Sequence, residues 1–190
     1  MRLRQTLPKL WLLTDLRTDA RLDRAIAGLP RGSAVVFRHY HLPLPERKAR
    51  FRGLARVARK RGLWLVWSGP AREAVGLRAD ACYGPARSLT QGPQIMRLVT
   101  VHSLAEIGRA RRASAVVLSP VYPTRSHPGG KTLGPVRYRL IESRSRVPVI
   151  ALGGMNARSS RRLGTARWAA IDGLAASTQR KINPRIPRDS

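Results

Sequence analysis

At 190 residues, with 43% hydrophobic residues and four tryptophans, the chain is long enough for one sizeable core and too apolar to be disordered. Its 37 Lys and Arg against 10 Asp and Glu give a net charge of +27 and an isoelectric point near 12.0. No apolar run approaches the ~20 residues of a membrane-spanning helix, and the single Cys82 excludes an internal disulfide.

A reducing, cytoplasmic setting is therefore the expectation, since the basic residues 1–9 are not followed by the apolar stretch and cleavage site of a signal peptide. Such charge first suggests nucleic acid, because counterion release rewards any basic surface. The arginines, however, are spread along nearly every segment, and neither an aromatic stacking box nor a helix-turn-helix spacing accompanies them. Nucleic acid thus enters only as a non-specific, charge-driven partner. The same positive field would draw in small phosphorylated molecules, and oligomeric state is left open.

Taken in chain order, short apolar runs recur at 10–13, 34–37, 63–67, 79–83, 98–101, 115–118, 147–152 and 168–176. Their length and their β-branched and aromatic content suit fully buried parallel strands. Amphipathic stretches lie between them. Residues 46–61 place Phe51, Leu54, Ala55, Val57 and Ala58 among arginines and lysines, and 103–112 opens on a Ser-x-x-Glu capping box, Ser103 with Glu106. Residues 134–144 and 157–163 continue the alternation. This pattern predicts a compact (β/α)8 TIM barrel over residues 1–178 as a single domain. Too few apolar positions lie between Tyr83 and Ile95 for a full fourth helix. After Ser177 the chain is too polar and proline-broken for a packed eighth, so 179–190 reads as a basic polar tail. An open doubly wound sheet is the alternative, but no G-x-G-x-x-G follows the first strand.

Barrel chemistry sits at the carboxyl ends of the strands. Those ends supply Thr14 and Asp15, then Arg38, His39 and Tyr40, then Ser68 and Gly69, and then Tyr83 and Gly84. His102, the loop from Thr124 to His127, Gly153 to Asn156, and Ala176 with Ser177 complete the set. Gly153 and Gly154 leave room for backbone N–H groups to approach an oxyanion, and the helix after them would add its positive end. Arg38 ends an apolar strand, where a charge needs a partner; a phosphate clamp and an ion pair with Asp15 are equally good readings. His39 and His41 stand two apart with no Cys or carboxylate near them in sequence, a poor basis for zinc. His127, in a proline- and glycine-stiffened loop, is the best proton-transfer candidate. Cys82 reads as a small core residue.

With these residues assembled, the chain resembles the thiamine phosphate synthase and thiazole tautomerase superfamily over most of its length. LWLLTD at 10–15 resembles the first strand, and FRHY the second-strand arginine motif with Arg38 at the arginine. ADACYG at 79–84 resembles the fourth strand, and VHSLAE with SPVYPTRSHPG the fifth and sixth. VPVIALGGMN and IDGLAAS resemble the seventh and eighth. The last four are specific in combination. The resemblance implies a transferase that joins hydroxymethylpyrimidine pyrophosphate to a thiazole phosphate, through Mg²⁺-assisted loss of pyrophosphate and attack of the thiazole nitrogen on a pyrimidine carbocation. Arg38, Ser126 and His127 would then be catalytic. His102, Thr124, Gly153, Gly154, Asn156, Ala176 and Ser177 would bind substrate and phosphate, Gly154 and Ser177 through their N–H groups.

The chain also departs from that pattern. The family's lysine after the strand-two arginine falls at Tyr40, and its glutamine before it at Val36. The Asn-Asp pair ending strand three is Ser68 and Gly69. The second metal-binding Asp falls in the run Pro85, Ala86, Arg87, and the strand-six lysine is His127. No metal ligand is assigned, and Mg²⁺ rests on the resemblance alone, with arginines Arg38, Arg87 and Arg125 as stand-ins for its charge. The tautomerase histidine falls at Pro120. The expectation is a synthase-like transferase acting on phosphorylated small molecules. A divergent phosphate-ligand barrel, non-catalytic or differently catalytic, is the alternative, and a basic nucleic-acid-associated protein the third reading.

Overall fold

Alternate residues of every strand divide into two sets, and that division builds the molecule. A computed structural model of the chain describes residues 6–126, 128–171 and 174. Its strands are β1 (Leu10–Leu13), β2 (Ala34–Phe37), β3 (Trp64–Ser68), β4 (Ala81–Pro85), β5 (Met96–Val101), β6 (Ala115–Leu118), β7 (Val149–Ala151) and β8 (Trp168–Ala170). Each pairs in parallel with the next, and β8 closes on β1. One set, including Trp11, Val36, Val66, Tyr83, Leu98, Val117, Ile150 and Ala169, fills the barrel interior. The other, including Leu12, Phe37, Trp67, Val99 and Leu118, packs against the helices. Both faces are dry, which is why the strands read as unbroken apolar runs.

The helices are α1 (Leu22–Gly28), α2 (Leu44–Lys60), α3 (Ala71–Gly76), α4 (Leu104–Arg109), α5 (Gly134–Ser143) and α6 (Ala157–Leu163). α2 begins two residues earlier than its amphipathic stretch suggests because Pro45 suits a first-turn position. α4 stops at Arg109, three residues short of the expected end. Its Ser103 cap accepts from Glu106 N, but Glu106 reaches back to the N–H of His102 instead of that of Ser103. β8 is described only to Ala170, and the place of an eighth helix lies outside the described residues.

No α-helix forms after β4; a 3-10 turn, Ala86–Ser88, stands there. Arg97 of β5 does the missing helix's work. Its buried guanidinium donates to the carbonyls of Leu89, Gln91, Gly92, Pro93 and Ile95, gathering the loop against the barrel. Cys82 packs in the outer core, and burial raises its thiol pKa. Among the described residues, no helix is long and apolar enough to cross a membrane.

Candidate active site

β1 and β2 deliver the first charged group. Thr14 is buried and accepts the N–H of Arg38 at its Oγ1. Arg38 Nε donates to the Thr14 carbonyl at 2.8 Å, and Nη2 to Asp15 Oδ2 at 3.1 Å. Of the two readings of Arg38, the ion pair with Asp15 is present. Its Nη1 has no partner among the described residues. Asp15 also caps the 3-10 segment Leu16–Arg21, where Arg17 bonds to it. That bond, foremost, holds the Asp15 carboxyl below its ordinary pKa. Arg17 then reaches Ser126 Oγ at 3.0 Å.

A second cation lies beside the end of β3. Arg47, in the first turn of α2, is 8% exposed and is stacked over Trp67 at 4.1 Å and Tyr40 at 4.8 Å. Its Nη2 donates to the Ser68 carbonyl, while its buried Nε has no partner among the described residues. Tyr40 Oη bonds Ser68 Oγ. Burial lowers the guanidinium pKa, and no carboxylate pairs with Arg47 among the described residues. In the sequence Arg47 is one basic residue among many in 46–61. Positions 47, 51, 54, 55 and 58 nevertheless share the buried stripe of α2, so the helical period carried the signal.

The loops after β5 and β6 hold the next candidates. His102 is exposed, and its Nδ1 donates to the Ser119 carbonyl at 2.7 Å. Thr124 Oγ1 accepts the N–H of Ser126. His127 lies outside the described residues, as do Ala176 and Ser177.

Thr124, Gly153, Gly154 and Asn156 come together around one cavity of about 190 Å³, which Arg125, Leu152 and Ile171 also line. Gly153 and Gly154 have φ of +94° and +61°. A Cβ on Gly153 would stand 2.7 Å from Pro120 Cα, and one on Gly154 2.6 Å from the Pro123 carbonyl oxygen. The β6 loop and the glycine turn are thus pressed together, with Tyr122 N donating to Gly153 O. Among the described residues, nothing accepts from the N–H groups of Gly153, Gly154 or Met155. Asn156, which lines this cavity, also caps α6. Its Oδ1 accepts from Arg158 N and Ser159 N, and its own N–H is taken by Ser159 Oγ. The start of α6 is therefore satisfied by its own cap, and the open donors belong to the glycine turn.

The model of the thiamine monophosphate synthase family (TMP-TENI) matches residues 12–178. The chain belongs to the thiamine monophosphate synthase family. Thiamine phosphate pyrophosphorylase from Pyrococcus furiosus is a structural relative, at 22% identity, 94% coverage of this chain, 96% of that one, and TM-score 0.76. The corresponding enzyme from Bacteroides thetaiotaomicron follows at 15% identity, 95% and 89% coverage, and TM-score 0.61. The HpcH/HpaI aldolase from Desulfitobacterium hafniense DCB-2 shares the barrel at 13% identity, 96% and 95% coverage, and TM-score 0.56. No curated protein matches the chain. The chain is thus thiamine phosphate synthase-like in family and barrel fold.

The residues present do not fit the Mg²⁺ that the synthase family implies. Mg²⁺ takes hard oxygen ligands, commonly one or two carboxylates. At the end of β3 stand Ser68 and Gly69, with the Arg47 guanidinium against the Ser68 carbonyl. A Cβ on Gly69 would lie 2.6 Å from Trp67 Nε1, so a side chain has no room there. At the end of β4 stand Pro85, Ala86 and Arg87. Asp15 is held by two arginines, and Asp80 accepts the N–H of Leu65 at the opposite end of the strands.

Proposed function

We propose that this member of the thiamine monophosphate synthase family is a transferase joining a pyrimidine diphosphate to a thiazole phosphate, with thiamine phosphate and pyrophosphate as products. The single observation that carries this reading is the glycine turn. Gly153 and Gly154, locked against the β6 loop, line a cavity that also holds Thr124 and Arg125, and among the described residues nothing accepts from their N–H groups. Such a cup binds an anion through the backbone and suits a phosphate monoester. By the family resemblance, Ala176 and Ser177, which lie outside the described residues, would add to the phosphate site.

On the diphosphate side, Arg38 offers its Nη1 and Arg47 a buried positive charge beside β3. Preformed cations of this kind stabilise a leaving diphosphate as its charge develops. Ser126, held by Arg17, would stand over the departing group, and His127, outside the described residues, would be the proton-transfer candidate by the family resemblance. His102 orients from the β5 loop. The compartment is cytoplasmic in this reading, and nucleic acid associates only through net charge.

The test is an assay with both precursors, with and without Mg²⁺, scoring thiamine phosphate by mass. Product above the uncatalysed rate supports the transferase. A second reading, a non-catalytic phosphate-ligand barrel, is favoured by the engagement of Arg38 with Asp15 and by the lack of room at Gly69. No product, with thiazole phosphate still raising Tm, would select it.

A further inference from the structure

Two histidines too far from any carboxylate in sequence to suggest a metal acquire one in the fold. The 3-10 segment after β1 places Asp19 against the loop after β2, and the ligand atoms of Asp19, His39 and His41 all lie within 4.8 Å of one another. His39 is fully buried, stacked on Phe37 with ring centroids 4.2 Å apart, and held at φ +26°. Few non-glycine residues adopt that backbone, and it is what aims this ring. Thr14 Oγ1 sits 2.8 Å from Nδ1, and Asp19 Oδ1 2.7 Å from Nε2. The carboxylate assigns the proton to Nε2, so Nδ1 accepts from the Thr14 hydroxyl.

We propose that Asp19, His39 and His41 form a three-ligand site for a borderline transition-metal ion of the Zn²⁺ class, separate from the phosphate cup. Two nitrogens and one carboxylate oxygen suit Zn²⁺ and not Mg²⁺. Metal–ligand bonds of about 2.0–2.1 Å place tetrahedral ligands about 3.3 Å apart. The Asp19–His39 pair opens by about 0.6 Å from its hydrogen-bonded spacing, and the exposed His41 swings in. The ion takes Nε2 while the ring proton shifts to Nδ1, which then donates a hydrogen bond to Thr14 Oγ1, a hydroxyl that can accept as well as donate. The ring stays neutral throughout. Arg50 opposes the ion, 3.8 Å from Asp19, but its closer partner is Asp23 at 2.8 Å. The adjoining cavity of about 220 Å³, lined by Arg38, His39, Tyr40 and His41, has room for a water as fourth ligand.

The experiment is a calorimetric Zn²⁺ titration of the full, untagged chain after chelator treatment, with Co²⁺ absorption reporting geometry. The expected result is one Zn²⁺ per chain and a tetrahedral Co²⁺ spectrum. His41→Ala and Asp19→Asn each weaken binding by about tenfold or more, while His102→Ala leaves it unchanged. His41 is exposed, so its variant keeps the fold, which the metal-free Tm verifies. Less than one equivalent, or wild-type affinity in both ligand variants, overturns the proposal. It stands apart from the proposed transferase activity, since binding alone is read.

Discussion

Arg17 Nη2 lies 3.0 Å from Ser126 Oγ, joining the segment after β1 to the loop after β6 across 109 positions of chain. With the pairs Arg17–Asp15 and Arg38–Asp15, it completes a charged path over the barrel mouth from β2 to the β6 loop.

Arg17→Ala should release that loop. The bond is exposed, so stability changes by less than about 1 kcal/mol. Amide exchange over 119–126 should quicken in Arg17→Ala and Ser126→Ala alike, read by mass spectrometry. Unchanged exchange would mean that the backbone bonds joining Pro120, Val121 and Tyr122 to Leu133, Gly134, Leu152 and Gly153 hold the loop without Arg17.

Gly153→Ala and Gly154→Ala should each cost about 3 kcal/mol, since both combine a positive φ with a Cβ inside the van der Waals surface of the β6 loop. For a chain of this size that lowers Tm by about 6–12 °C. Gly108→Ala on α4, where a Cβ meets nothing within 4 Å, serves as the control and should be neutral or stabilising. Calorimetry decides stability. A thermal shift with thiazole phosphate should be lost in the first two variants and kept in the third.

Restoring a carboxylate at the end of β3 should fail. Gly69→Asp forces a Cβ to 2.6 Å from Trp67 Nε1 and sets a second negative charge near Glu73, which already accepts from that indole. Trp67 packs on Phe51 and Phe37 and has little freedom to move. We expect a lower Tm and no new Mg²⁺ dependence of pyrophosphate release. A gain of metal-dependent turnover would show that the β3 end can be rebuilt.

Tyr83 sits inside the barrel, and burial raises its phenol from 10.0 to about 12. The folded state therefore keeps a proton that the unfolded chain gives up. Stability is whole below pH 10 and falls as pH rises from 10 through about 12. Tyr83→Phe should flatten that loss in denaturant titrations at successive pH values. A variant that weakens over pH 10–12 as the wild type does would assign the loss to other groups.

The eight strands were legible because a parallel strand buried on both faces must be apolar throughout, and 34–37 and 115–118 matched to the residue. The strand-end rule likewise located Arg38 and the glycine turn. Two site residues, Arg47 and Asp19, were not located. Arg47 is a cation on a buried stripe, and residue type argued against the helical period that placed it there. Asp19 meets His39 only because the 3-10 segment folds back over the β2 loop, 20 positions away. Asn156 stands at a strand end, where the site is expected, and its position three before Ser159 also suits a capping box.

By itself, the order of residues determined the barrel, its thin fourth connection and the glycine turn at the end of β7. Each of these follows from local hydrophobic period or from a backbone that only glycine allows. Tertiary structure alone decided which charges meet. It tied Arg38 to Asp15, set Arg47 beside Ser68, strapped Arg17 to Ser126 and gave two histidines a carboxylate. Those outcomes depend on where loops from distant strands converge at one rim, and in a chain with far more cations than anions many other pairings were equally available to the sequence.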